Sequence, residues 1–263
     1  MLCAIAFNWH DSSVSFSRGN RIVLVLEAER HFRTKKKACS ALEMEALIRH
    51  GAAVLGITIE DIDHWALASL NNPWLSSRQT RKLADDDYWW DDVAFLGHTR
   101  RCLIVSHHYA HAASSFFMSG AHSAVVQTCD GGGDFNECVV AFSGRENELE
   151  RLPAPCGDAI SGLPYNLIAG FFYRERFCEG KMMALAALGS VDQRHAALID
   201  DMLPTLNQAG AEIVRGAGAD EISASFARSM ERVNRLLNRQ LGHMFSAPGV
   251  FSPDGLDFIA TLQ

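Results

Sequence analysis

The sequence predicts an α/β chain in which a three-strand pattern occurs twice and is followed by a helical part. Three observations carry this reading. Short apolar and β-branched runs separated by polar turns open the chain, at Cys3 to Phe7, Val14 to Phe16 and Arg21 to Leu26. The same strand–turn order returns at Ala124 to Cys129, Glu137 to Phe142 and Glu148 to Leu152. Beyond residue 160, apolar residues recur at three- and four-residue spacing instead. The two strand groups share no visible sequence repeat, so the duplication is one of architecture.

In chain order, Asn8 to Ser13 form the polar turn after the first strand, and Arg18-Gly19-Asn20 suits a hairpin turn before the third. Ser40 and Glu43 have the spacing of a capping box, which starts a helix expected to turn Leu42, Leu47 and Val54 inward and to end before Gly56. His64 to Leu70 reads as a strand. Residues 71–99 read as irregular, with aspartates flanking Tyr88, Trp89 and Trp90. Cys102 to Val105 is a strand that runs into a histidine-rich helix. After residue 160, Glu179 to Ala186 is a helix with a basic start. Ile222, Phe226, Met230, Val233, Leu237 and Leu241 form the apolar face of another, opposite Arg228, Arg232, Arg235 and Arg239. Phe258 to Gln263 looks like the beginning of a further element.

Composition narrows the function classes. At 263 residues, with 48% hydrophobic and 21% charged residues, the chain is long enough for a sizeable core. A net charge of −7 weighs against nucleic-acid binding, which needs clustered cations. No apolar run reaches the ~18–20 residues of a membrane span. The seven cysteines are odd in number and form no C-x-x-C pair, which predicts reduced thiols and a cytoplasmic location.

The chemistry centres on Ser106 to Ala113 and on Asp130-Gly131-Gly132-Gly133-Asp134. His107 and His111 are four apart, hence on one helix face. Asp130 stands at the carboxyl end of a strand, where Gly131, Gly132 and Gly133 let backbone approach a phosphate closely. Two imidazoles and a carboxylate suit a divalent metal, with iron, manganese and zinc all compatible. Lys181, at a helix start, is a candidate phosphate contact. His108 points about 100° away from His107 and reads as a packing or supporting residue.

Five segments in this order resemble a known family: His10 to Ser13, Glu27 to Arg30, His107 to Ala112, Asp130 to Gly133 and Glu179 to Ala186. Together they resemble the N-terminal part of the O-carbamoyltransferases of the nodulation-protein-U, cephem and aminoglycoside type, over roughly residues 1 to 190. The resemblance implies an actin/hexokinase-like fold with a duplicated mixed sheet. Residues 1–120 would form the first subdomain, 121–160 the start of the second, and 161–263 a helical insertion. It further implies that carbamoyl phosphate and ATP give carbamoyl-adenylate and pyrophosphate in a YrdC-like domain, in the same or a partner chain. The carbamoyl group then passes to a hydroxyl of a sugar or other natural product in the actin-like domain. His107, His111 and Asp130 match three ligands of the family's iron(II). His10 matches the histidine near the reacting carbamoyl group, and Lys35 falls in register with a basic residue that meets the adenylate. The family's second Gly-Gly segment, its fourth metal-binding aspartate and the YrdC-like domain are expected outside these 263 residues, and a homo-oligomer is compatible. Two other readings stay open: a kinase of the actin/hexokinase group, and a non-catalytic nucleotide-binding subunit that works with a partner chain.

Overall fold

The computed structural model describes residues 1–8, 11–134, 137–153, 162–175, 178–214 and 219–263. The chain is α/β and forms two units, one comprising Met1–Thr128 with returns at 133–134 and 140–153, the other the remaining described residues.

The first unit is built on a six-stranded mixed sheet. Its strands are β1 (Leu2–Ala6), β2 (Ser13–Arg18), β3 (Arg21–Glu27), β4 (His64–Ala68), β5 (Tyr88–Phe95) and β6 (His98–Val105), in the order β3-β2-β1-β4-β6-β5. Gly19, at φ +58°, makes the β2–β3 turn that the sequence promised. The opening meander is antiparallel, whereas β4 runs parallel to β1 and β6 parallel to β4. Helices α1 (Ala28–Phe32) and α2 (Ala41–Leu55) lie in the crossover between β3 and β4 that a parallel pairing requires. Strict alternation buries Cys3, Ile5, Val14 and Phe16 on one sheet face. α2 packs there so closely that a Cβ at Gly51 would stand 2.3 Å from the Phe16 ring.

The cap of α2 is the one expected: Ser40 Oγ accepts from the Glu43 amide, Glu43 accepts from the Ser40 amide, and Gly56 closes the helix in the left-handed region. Two expected core residues point outward instead. Leu42 is 79% exposed and Val54 56%, and the buried stripe is Met44, Leu47, Ile48, Gly51 and Ala52. Leu42 lies about 140° around the helix from Leu47, off that stripe. Glu43 is held at a pKa of about 2, first by the Lys37 ammonium and then by the Ser40 amide. Because the folded value is depressed from 4.5, its contribution is full above that pH and lost as the pH falls toward about 2. Urea unfolding of Glu43→Gln should therefore show a deficit of about 1 kcal/mol or less above pH 4.5, closing as the pH falls toward about 2.

Residues 71–99 are more regular than expected. Helix α3 (Ser77–Lys82) has its own capping box from Ser76 and Gln79, and β5 pairs with β6 along its whole length. The connecting turn puts both Leu96 (φ +53°) and Gly97 (φ +78°) in the left-handed region. That suits a two-residue hairpin, but leucine there gives no turn signal. The Leu96 side chain is buried, and its amide donates to Glu45 Oε1 at 2.9 Å, so tertiary contacts hold the turn.

Helix α4 (His107–Ser119) follows β6. The three-stranded sheet β7 (Ser123–Cys129), β8 (Val139–Arg145) and β9 (Glu148–Arg151) comes next, in the order β7-β8-β9. This is the second strand group read from the sequence. Phe116 of α4 shares a small core with Val140, Phe142 and Leu149.

In the second unit are α5 (Leu163–Tyr173), α6 (Glu179–Ala186), α7 (Gln193–Val214), α8 (Ala219–Leu241), the short hairpin of β10 (Phe245–Ala247) and β11 (Val250–Phe251), and α9 (Pro253–Leu262). Phe172 packs among Phe171, Phe245, Phe251 and Phe258 in its core. On α8, Val233, Leu237 and Leu241 are fully buried, and Arg228, Arg235 and Arg239 are exposed. The side chains of Ile222, Phe226 and Met230 lie outside the described residues. Phe258 to Leu262 proves to be the second half of a helix whose N-cap is Ser252, not the start of a new element. Among the described residues, no helix is long and apolar enough to cross a membrane.

Candidate metal centre

Strand β6 ends at Val105, and Ser106 caps α4 by accepting from the Tyr109 amide at 3.3 Å. The cap is itself fixed: Ser106 Oγ donates to Asp87 Oδ1 at 3.1 Å, and Arg151 donates to the same carboxylate at 2.6 Å. With the helix start set, its four-residue spacing sorts the side chains. His108, Ala112 and Phe116 form the buried stripe, while His107 is half-buried and His111 exposed. The two histidines expected to share a face do so. Their rings are perpendicular with centroids 4.5 Å apart, and their Nε2 atoms are separated by 3.2 Å.

Asp130 follows β7 directly. Its amide donates to the Cys138 carbonyl at 2.8 Å, and its Oδ1 accepts from the Gly131 amide at 2.6 Å. Ligand atoms of His107, His111 and Asp130 all lie within 4.8 Å of one another, the one such group of three or more among the described residues. The spacing fits a cation. Metal–nitrogen bonds of ~2.0–2.1 Å put neighbouring donors roughly 3 Å apart, as the two imidazoles already are. Burial, then the negative charge of Asp130, raises the Cys129 thiol above its ordinary pKa.

Asp134, to which the sequence reading gave no role, and His108, read there as a packing or supporting residue, both support this group. Asp134 is 9% exposed, and its Oδ2 accepts both the His107 amide and the Ser69 hydroxyl, each at 2.6 Å. A buried carboxylate thus sits at the positive end of α4 and ties the helix start to the residue after β4. His108 is held through Nδ1 by Thr128 Oγ1 at 2.7 Å, and Thr128 in turn donates to the Val140 carbonyl at 3.1 Å. The D-G-G-G-D pattern was the available signal for Asp134. Nothing in the sequence pointed to Ser69, 65 residues away.

The glycines differ in what surrounds them. A Cβ on Gly133 would stand 2.6 Å from His108 Cδ2 and 3.0 Å from His107 Cδ2, so the histidine rings need this position bare. Among the described residues nothing lies within 4 Å of a Cβ on Gly132, and one on Gly131 would meet only Leu163, at 4.0 Å. Lys35 lies exposed in the turn after α1. Lys181 is exposed in the first turn of α6 and pairs with Glu175, whose hydrogen bond raises the lysine pKa. His10 lies outside the described residues.

Residues 95–263 match the family described as Carbamoyltransferase N-terminus. The nodulation protein NolNO of Sinorhizobium fredii is 34% identical over 132 residues, which cover 50% of this chain and 18% of that protein. The chain therefore spans about a fifth of the length of that relative. Two solved structures are similar at low identity. The activator of the 2-hydroxyisocaproyl-CoA dehydratase from Clostridium difficile shows 12% identity and a TM-score of 0.40, covering 90% of this chain and 75% of that one. The ROK hexokinase from Thermus thermophilus shows 13% and 0.38, covering 98% and 96%. The family match takes in α4 with both histidines, the Asp130 turn and the helical unit. On the strength of that match, which covers more than half of its length, the chain belongs to the carbamoyltransferase N-terminus family.

Proposed function

We propose that this chain is the carbamoyl-transfer part of an O-carbamoyltransferase, moving a carbamoyl group from carbamoyl-adenylate to a hydroxyl of a sugar or other natural product. The observation that supports it most is the convergence of His107, His111 and Asp130 within 4.8 Å in a chain of this family. Imidazole donors suit iron or zinc and are a poor match for magnesium, which prefers oxygen ligands. That separates this reading from a sugar kinase. Iron(II) is the cation we assign, and it would be held by those three side chains. When bound, it supplies positive charge to the phosphate of the leaving AMP.

The chain's own residues take the remaining tasks. His10 accepts the proton of the acceptor hydroxyl as its oxygen attacks the carbamoyl carbon. The bond from that carbon to the phosphate oxygen breaks, and AMP leaves with the electron pair. Gly131, Gly132 and Gly133 face backbone toward the phosphate, and Lys35 and Lys181 offer it positive charge. Asp134 keeps the N-terminus of α4 in place through the His107 amide. The donor is made from carbamoyl phosphate and ATP by a YrdC-like domain, in the same or a partner chain.

The test supplies synthetic carbamoyl-adenylate and a panel of hydroxylated acceptors to the full-length protein. The proposal expects carbamate ester and AMP in equal amounts, and a loss of about 10²-fold or more in rate for His10→Ala. Nucleotide binding without transfer to any acceptor would favour the non-catalytic subunit instead.

A further inference from the structure

The start of α4 is held from two sides. Asp134 accepts the His107 amide, and Asp87, the residue before β5, holds Ser106. The Asp87 carbonyl accepts the Ser106 amide at 2.8 Å, and its Oδ1 accepts the Ser106 hydroxyl at 3.1 Å. An ionised carboxylate only accepts, so the hydroxyl proton is committed to Asp87 and a lone pair is left for the Tyr109 amide. Asp87 thus orients the capping hydroxyl as well as placing it.

Arg151, the last residue of β9, grips the same carboxylate with a fork. Its Nη2 lies 2.6 Å from Oδ1, and its Nε 3.0 Å from Oδ1 and 3.2 Å from Oδ2. Only 17% of the Asp87 side chain and 31% of the Arg151 side chain are exposed. An exposed ion pair contributes little, whereas a bidentate, half-buried one is stronger and fixed in direction. The guanidinium is itself seated 5.6 Å over the ring of Phe142, which is fully buried. Tyr109 of α4 meets that ring edge-on at 5.8 Å, so the arginine and the first turn of the helix share one support.

We propose that Arg151 is a positioning residue of the metal centre, acting through Asp87 and Ser106 to fix the direction in which α4 presents His107 and His111. The inference rests on the reading that these histidines hold a cation. Metal–ligand distances tolerate only about 0.2 Å, and His111 stands about 6 Å along the helix from His107. A helix held at the His107 amide alone would be free to pivot there and carry the second imidazole out of range. The anchor one residue earlier removes that freedom.

Cobalt(II) titration of the full-length protein, read by its visible absorption bands, tests this, because the bands report ligand geometry as well as occupancy. They should disappear in His107→Ala, which ties them to this site. Arg151→Met keeps an apolar stem on Phe142 and removes the fork. It should weaken cobalt binding about tenfold or more and alter the bands, at a temperature where circular dichroism shows both proteins folded. Asp87→Asn should do the same, and D87N/R151M should lose no more than the larger single loss, since both residues act through one link. Arg151→Lys keeps the charge without the fork. It should bind cobalt more weakly than the parent, and it carries the test if the methionine variant does not fold. Affinity and bands unchanged from the parent in both Arg151 variants would overturn the proposal, and so would additive losses in the double variant. A parent that binds no cobalt, or bands that persist in His107→Ala, would overturn the reading of the site itself and this inference with it.

Discussion

His107→Ala and His111→Ala should each lower the affinity for iron(II) or zinc by at least about 100-fold, read by calorimetric titration or by metal content after dialysis. Loss of a residue behind a ligand already costs 10–100-fold, and loss of a ligand should cost more. The two imidazoles are four residues apart with Nε2 atoms at 3.2 Å, so neither can be replaced by a neighbour on α4. His108, the nearest alternative, is 1% exposed and bonded to Thr128. His122→Ala is the control: it is exposed beside Glu146 and should leave affinity unchanged. Affinity should also fall on acidification, since a protonated imidazole cannot be a ligand. Affinity unchanged from the parent in both alanine variants would mean that the 3.2 Å contact is only a hydrogen bond between two rings.

Asp134→Ala should destabilise the first unit by about 3 kcal/mol, because it strands two donors that now share one carboxylate. The His107 amide and the Ser69 hydroxyl each lie 2.6 Å from Oδ2, and the residue is buried. Asp134→Asn keeps the shape and an acceptor oxygen but loses the charge at the helix N-terminus, and should cost roughly half as much. All five tryptophans (9, 65, 74, 89 and 90) precede Thr128, so urea unfolding followed by tryptophan fluorescence reports on that unit. An unchanged urea midpoint in Asp134→Ala would remove Asp134 from any part in placing the metal-binding helix.

What could be read from the sequence depended on how locally each feature is encoded. The α/β class was legible, because β1 to β3 are short apolar or β-branched runs set off by polar turns, and Gly19 marks the turn between two of them. The cap of α2 was legible from Ser40, Glu43 and Gly56 alone, and the histidine face of α4 from one four-residue spacing. Asp130 could be placed because a β-branched run delivers it. The features that escaped depend on distant partners. β5 lacks alternation and carries two aspartates, and its pairing shows only when the whole of β6 lies beside it. Leu96 enters a left-handed turn because Glu45, 51 residues earlier, holds its amide. Leu42 was misplaced because one apolar residue cannot tell which side of a helix meets a sheet. The tie between Ser69, Asp134 and the start of α4 is made by neither spacing nor composition. Only the fold brings those three together.

The central claim is that two imidazoles and a carboxylate hold one cation, and anomalous diffraction from crystals of the iron- or zinc-loaded protein tests it most directly. The account predicts a single strong peak about 2.0–2.2 Å from Nε2 of His107, Nε2 of His111 and a carboxylate oxygen of Asp130. A metal peak elsewhere, with the two histidine rings still bonded to each other and no ion between them, would contradict it.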